Sequence, residues 1–416
     1  MSIQRISTNT IPDNGMYSLR GRQFDMDRVN NQINTGNKNR LPRENPVDVT
    51  QAMTFHTAIN RTDQYIRNIQ DANNERGVAE VKLMNTVDII QRVRELAVQG
   101  ANGVYTDDER QMMAVEVDQL LRNVILNANS RYKDDYLFSG FNKYTQPFEV
   151  MEGAVRGINQ SMITEVKYLG DNGAHRREID SGELVAVARP GSEAFWAEQH
   201  QIYSSVNTAD FRLTQDSVIL IDKNRIEFNE GDNVYAIMDK INKSDVAVNA
   251  SIDPVTGGLI LKTTRPHRME LSDIEGGRLL QDLGILENGF AIGPENVNQG
   301  AMEFGGSVFD VLIGLRDAMI QNNQEDIGSR FLGALDMAMG NLTQQLAETG
   351  ALDNRMNYLT ERHNSDKERF TIGLSKANDI DVAESITELK MLEFAHKAAL
   401  SSLARLSQPT LMDFMR

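Results

Sequence analysis

The stretch from Asp379 to Arg416 constrains this chain more than any other. Its apolar residues Val382, Ile386, Leu389, Leu392, Ala399, Leu403 and Leu406 recur at three- and four-residue steps, which lays them along one stripe of a helix. Asp379 or Asp381 can cap its start and Pro409 bounds its end. Such a helix, roughly 27 residues and about 40 Å long, is longer than most globular ones. Burying one leucine is worth roughly 1.5–3 kcal/mol, so an uncovered stripe would forgo a large part of a domain's net stability. Ile3, Ile6, Ile11, Met16, Leu19, Phe24, Met26, Val29 and Ile33 form a looser second stripe, helical from about Asn14 to Asn34. The two stripes can cover each other, be covered by neighbouring subunits, or pack into one core.

Between them the pattern changes in a readable order. Gly36, Pro42 and Pro46 make Thr35 to Val47 a hinge loop. A heptad register then runs from Ala52 to Ala97, with Ala52, Ile59, Ile66 and Val87 on one line and Phe55, Ile69, Leu83, Ile90 and Ala97 on the other. Asn73, Arg76 and Glu80 interrupt it, as a register-setting polar layer or as a solvent-facing gap. Gly100 and Gly103 end that helix. Thr106 to Glu109 fits a capping box for a helix through Met113, Val117, Leu120, Val124 and Ala128 to about Tyr132.

Past Gly140, periods of two replace the helical period. Val218–Ile221 and Arg225–Phe228 flank a hairpin turn, a short helix spans Val234–Ile241, and Val246–Ile252 pairs with Leu259–Leu261 across Asp253–Gly258. Val166–Leu169, Arg177–Ile179 and Leu184–Ala188 are further short strands. Helical spacing returns at Ser307 and runs on through Ile327, Phe331, Leu335 and Leu346 toward Phe370. The expected fold is mainly α with an inserted β-rich region: an elongated antiparallel bundle or coiled-coil stalk formed by both chain ends, plus a central α+β excursion. The corresponding division is 1–46 (assembly helix and hinge), 47–140 and 306–378 (stalk halves), 141–305 (outward insert, itself divided near 205) and 379–416 (assembly helix).

The net charge of −16 argues against nucleic acid or an anionic membrane as partner, and no apolar run is long enough to span a bilayer. Zero cysteines exclude disulfides, thiolate metal sites and cysteine nucleophiles. Residues 1–10 carry no secretory signal pattern. One Trp against 19 Met suggests helices with adaptable contacts rather than a tight aromatic core. His56, His175, His200, His267, His363 and His396 are scattered without metal-ligand spacing, and His396 on the last stripe reads as a bundle residue. Gly305-Gly306 reads as helix punctuation, and Asp107-Asp108 and Asp134-Asp135 as helix-start and surface acids. No catalytic residue, cofactor or metal is expected, and the protein does not read as an enzyme.

Several segments taken together resemble the flagellin-like axial proteins of bacterial flagella. At the N-terminal end these are Arg5-Ile6-Ser7-Thr8, Ile33-Asn34-Thr35-Gly36, Asn45-Pro46, Tyr65 with Asn68-Ile69, Glu95 to Gln99 with Asn102-Gly103, and Tyr136 to Gly140. At the other end they are Arg355-Met356, Asp379 to Glu384 and Leu411-Met412-Asp413-Phe414. The match is confined to roughly the first 140 and last 110 residues, and the 246–262 region is similar to a small domain inserted in such proteins. The start Ile3 to Thr8 and the finish Leu406 to Phe414 are more similar to the subunit at the junction of hook and filament than to the filament subunit. One departure is Glu44-Asn45, where relatives often carry paired acids.

The resemblance implies a structural protein exported unfolded by the flagellar export apparatus to an external or periplasmic flagellum. It implies as partners neighbouring copies in a ring, the other junction protein, hook or flagellin subunits, and an export chaperone on the last helix. The implied assembly interface is Ile3, Ile6, Leu19, Val29, Ile33, Val382, Ile386, Leu389, Leu392, Ala399, Leu403, Leu406, Leu411 and Phe414.

Overall fold

A computed structural model describes residues 10–39, 43–155, 161–187, 189–274, 276–287 and 296–406. The main helices are α1 (Thr10–Thr35), α2 (Pro46–Gly100), α3 (Asp107–Ala128), α4 (Val234–Lys243), α5 (Val308–Ile320), α6 (Leu332–Asn378) and α7 (Val382–Leu406). The strands that matter below are β1 (Phe148–Ala154), β2 (Ser161–Tyr168), β3 (Arg176–Asp180), β4 (Glu183–Ala186), β5 (Gln201–Tyr203), β6 (Ser217–Ile221), β7 (Asn224–Phe228), β8 (Val248–Ile252), β9 (Leu259–Thr263), β10 (Leu271–Ile274) and β11 (Met302–Phe304). The chain is thus mainly helical with long helices at both ends and antiparallel strands between them. It divides into two compact units, 1–67 with 359–416, and 68–358.

In the larger unit α2 runs antiparallel to α6, as the ion pairs Arg76–Asp353 (2.9 Å) and Arg94–Asp336 (2.6 Å) show. The buried face of α2 follows Ile69, Ala72, Arg76, Ala79, Leu83, Thr86, Ile90, Val93, Ala97 and Gly100. One expected heptad line is therefore in place, and the other is displaced by one residue, since Ala72, Ala79 and Thr86 take the seam while Val87 lies half-buried beside it. Large aliphatic residues had pulled the expected line toward them, whereas close helix packing there selects small side chains. Arg76 settles the polar interruption. It is 4% exposed, paired with Asp353, and donates to the Thr349 carbonyl. Burial pulls this guanidinium below its usual pKa, with Asp353 and Glu80 opposing. Arg76 is a polar layer, not a gap.

Local signals set the other boundaries. The Thr106–Glu109 capping box starts α3, and Ser307 with Asp310 makes the same box for α5. α3 stops at Ala128, short of Tyr132, because Asn129 turns out of the helix and clasps Phe148 with both its amide groups (2.9 and 3.0 Å). The helical run after Ser307 is also interrupted, since Asn322 adopts φ +56 and a short π turn, Ile327–Phe331, precedes α6. Gly305 has φ +95, and a Cβ there would lie 2.4 Å from the Gln199 carbonyl oxygen, so its role is a close backbone approach. The core joining α3, α5 and β1–β2 is aromatic, against the expectation from composition. Phe138, Phe148, Phe195 and Phe309 are at most 1% exposed, with ring centroids 4.8–5.7 Å apart. Below it the fully buried Arg316 bonds Asp118 of α3 and its neighbour Asp317, each at 2.7 Å.

A second core fills the α+β part. The β6–β7 hairpin closes through Asp222 and Lys223 at φ +48 and +69, the turn that suits the strand twist. β10 pairs on the far side of β6, and β8-β9-β5-β11 form a second sheet. Ile237 and Ile241 of α4 are buried, and Asn242 just behind them bonds both backbone groups of Ala250. β1, β5, β10 and β11 were not expected. β1 is broken by a bulge at Met151/Glu152, and β5 and β11 are three residues each, too short for a period of two to register.

Two predictions follow from buried charge. Arg76→Ala leaves Asp353 without its partner and should destabilise the larger unit by about 2–4 kcal/mol in urea melts, while Arg76→Leu with Asp353→Leu should recover most of that loss. Asp273 is 1% exposed, and burial raises its carboxyl from the ordinary 3.8 to about 6, although Leu280 and Gln281 N–H groups donate to it. Between those values the folded chain holds a proton that the unfolded chain has lost, so this group weakens the fold as pH rises through the window. The cost is complete above about pH 6, on the order of 3 kcal/mol. Asp273→Asn should therefore gain stability relative to the parent between pH 4 and 7, read from the fluorescence of the single Trp196 during unfolding.

Candidate assembly interface at the chain ends

The smaller unit is built from both ends of the chain. Asn45 accepts from the Val47 and Asp48 N–H groups (3.2 and 3.3 Å) and Pro46 takes the first helical position, so the expected breaker pair is in fact the cap of α2. This first part of α2 runs antiparallel to the last part of α6. Phe55 meets Phe370 (6.4 Å), Tyr65 meets His363 (5.4 Å), and Asp63 pairs with Lys367 (2.7 Å). A Cβ on Gly373 would fall 2.6 Å from the Phe55 ring, so the glycine makes that seat.

Two backbone clasps bind the hinge to the start of α7. Lys38 N–H donates to the Asn378 carbonyl (2.6 Å) and Ile380 N–H to that of Gly36 (3.1 Å). The Asn378 amide also donates to Asn37 Oδ1 (2.8 Å). Gly36, at φ +73, ends α1 in the left-handed conformation common behind helices. Of the two expected caps, Asp381 is the one used: its carboxylate accepts from Ala383 and Glu384 N–H groups (2.9 and 3.2 Å).

From there α7 runs back antiparallel along α1. Arg22 donates to the Ala395 carbonyl (2.6 Å), Arg28 approaches Glu388 (3.9 Å), and a Cβ on Gly15 would meet Leu403 at 2.3 Å. The shared seam follows heptad steps on both helices: Gly15, Leu19, Arg22, Met26, Val29 and Ile33 on α1, and Ser385, Leu389, Leu392, His396, Ala399 and Leu403 on α7. Of the expected interface residues, the structure thus gathers Leu19, Val29, Ile33, Leu389, Leu392, Ala399 and Leu403 on one seam. Val382 and Ile386 do not join it and stay 53% and 41% exposed. Leu406 is the last residue of α7, and Ile3, Ile6, Leu411 and Phe414 lie outside the described residues. Met16 and Phe24, counted in the expected α1 stripe, are 52% and 67% exposed and lie off the seam. A search for apolar residues alone missed Gly15, Arg22 and Ser385, which the three–four spacing could have found, whereas His396 takes the bundle position expected of it.

The seam is thin. Among the described residues of α1 only Val29 is buried, and on α7 only Ser385. Arg28–Glu388 is half exposed on both sides and holds little. His396 Nδ1 is buried without a hydrogen-bond partner. Tyr17, Phe24, Met391 and Phe394 are 67–82% exposed, so large apolar side chains stand uncovered on the pair. Among the described residues no group of His, Asp and Glu could hold a metal ion, and no helix is long and apolar enough to cross a membrane.

Comparison with known proteins locates the same regions. The model of the bacterial flagellin N-terminal helical region matches residues 6–143, that of the flagellin C-terminal helical region matches 332–415, and the flagellin hook IN motif matches 213–265. Flagellar hook-associated protein 3 of Salmonella typhimurium is 24% identical over 247 residues, 58% of this chain and 74% of that protein. Flagellin C of Vibrio cholerae is 24% identical over 350 residues, 82% of this chain and 80% of that one. The crystal structure of flagellar hook-associated protein 3 from Legionella pneumophila covers 78% of this chain and 98% of its own, at 18% identity and a TM-score of 0.46. Both terminal models of one family fall on the helices of the two chain ends and together take in more than half of the residues: the chain belongs to the flagellin-like axial proteins of the bacterial flagellum.

Proposed function

We propose that this protein is a structural subunit of the junction between hook and filament, assembled through its terminal helices. The observation that carries the reading is the pairing of both chain ends into a thin seam whose outer faces remain apolar, in a chain similar to a hook-associated protein over three quarters of that protein's length. An isolated helix is marginal in water. With so little buried between them, α1 and α7 gain their full stability only when neighbouring subunits cover Tyr17, Phe24, Val382, Ile386, Met391 and Phe394. The ends 1–46 and 379–416 then act as assembly segments, the α2, α3, α5 and α6 helices as the stalk, and the 141–305 insert as the outward part. Its partners are copies of itself, a second junction protein, and hook or flagellin subunits. Before assembly, export through the flagellar apparatus requires an open chain, and the apolar α7 stripe is suited to the groove of a cytoplasmic chaperone.

A second reading, filament subunit, draws on the Vibrio cholerae Flagellin C similarity, which spans more of this chain. Electron microscopy of the purified protein separates the two: a junction subunit stays short or requires a hook template, whereas a filament subunit polymerises into long filaments.

Two cellular outcomes are expected. Deleting 379–416 should release filaments from their hooks and abolish swimming; motile cells with attached filaments would contradict the assignment. Ile386→Glu, at an exposed position, should change monomer stability by no more than about 0.5 kcal/mol and still lower the count of attached filaments.

A further inference from the structure

A hollow of about 620 Å³ opens in the larger unit, walled by β2, β11, the start of α5 and the π turn before α6. Its volume is that of a small-molecule site. The carboxylates of Glu165, Glu198, Glu303 and Asp310 line it. So do the cations of Lys167, Arg268 and Arg330. Phe304, 52% exposed, and Phe331 add aromatic surface to the polar lining.

Three of the charged groups are fixed by their neighbours. His200 is 1% exposed and accepts the Met269 N–H at Nδ1 (3.1 Å), which leaves Nε2 as the donor to Glu303 Oε1 (2.7 Å). The Ser307 N–H and hydroxyl both donate to Asp310 Oδ2 (2.8 and 2.7 Å). Arg268 packs over the ring of Trp196, 5.9 Å from its centroid. Glu303 Oε2, Asp310 Oδ1 and the Arg268 guanidinium are left with no hydrogen-bond partner among the described residues. Two acceptors and one planar donor are thus set in position before any ligand arrives, which lowers the ordering cost of binding.

The mixture of signs selects the ligand. Glu303 and Asp310 both act on the charge of Arg268, so an anion drawn to the guanidinium would stand beside two carboxylates, and a cation drawn to the carboxylates would meet the guanidinium. A neutral ligand rich in hydroxyls avoids both penalties. Each hydroxyl donates as well as accepts, and its bonds to ionised groups are stronger than those between neutral ones.

We propose that this hollow binds a neutral saccharide, whose hydroxyls accept from Arg268 and donate to Glu303 Oε2 and Asp310 Oδ1 while the apolar face of the sugar ring lies on Phe304. The site lies within the larger unit and is independent of the junction role.

Trp196 is the single tryptophan and lines the hollow, so its emission reports on occupancy. The purified full chain is titrated with lactose, maltose and N,N′-diacetylchitobiose, and calorimetry detects any binding that leaves the emission unchanged. At least one of the three should saturate, with a Kd on the order of 1 mM. Phe304→Ala, at an exposed position, should keep the parent's urea melt and weaken that binding by about tenfold. Arg268→Gln should weaken it at least as much, and if that variant fails to fold, Phe304→Ala decides alone. Absence of saturable binding by all three sugars, undiminished binding by Phe304→Ala, or displacement of the sugar by sodium phosphate at constant ionic strength would overturn the proposal.

Discussion

Antiparallel pairing of the two chain ends is the constraint on which the rest of this structure depends. Within the smaller unit α1 lies against α7, and the first part of α2 against the last part of α6; within the larger unit the rest of α2 continues against α6 in the same sense. Pairing first residues with last ones makes every such contact long-range in sequence. The aromatic core around Phe148 and Phe309 is sealed, whereas the seam between α1 and α7 buries little beyond Val29 and Ser385.

Polar groups fix the alignment of these helices where apolar stripes alone would permit slippage. Arg76 with Asp353 and Thr349 holds one level of the α2–α6 pair, and Arg316 with Asp118 holds α5 to α3. A buried guanidinium contributes little net stability, but displacing it by one turn would strand a charge in the core, so each acts as a register mark. Glycines do the complementary work: Gly15 and Gly373 provide the seats for Leu403 and Phe55, where any Cβ would collide.

Much of this was legible in the residues. The two terminal stripes, the hinge at Gly36, the capping box at Thr106 and the hairpin at Asp222-Lys223 all carry local chemistry strong enough to survive tertiary packing. What could not be read has specific causes. The second α2 line was displaced because Ile66 and Val87 outweigh Tyr65 and Thr86 in any hydrophobic count, although helix spacing selects the latter. The aromatic core was missed because its members, Phe138, Phe148, Phe195 and Phe309, come from four distant segments and no spacing links them. In the candidate interface, Ile386 lies one residue past Ser385, which takes the seam position, and Val382 is the exposed first residue of α7. Phe394 falls on the opposite face, where a search for one stripe does not look.

The central claim is that the α1–α7 pair formed within one chain becomes stable only when neighbouring subunits cover it. Hydrogen exchange of the backbone amides of 382–406 tests it most directly, compared between the purified monomer and the protein assembled on hooks. The account predicts rapid exchange in the monomer, well ahead of the core helices α3 and α5, and strong protection only after assembly. Protection in the monomer equal to that of α3 and α5 would contradict it.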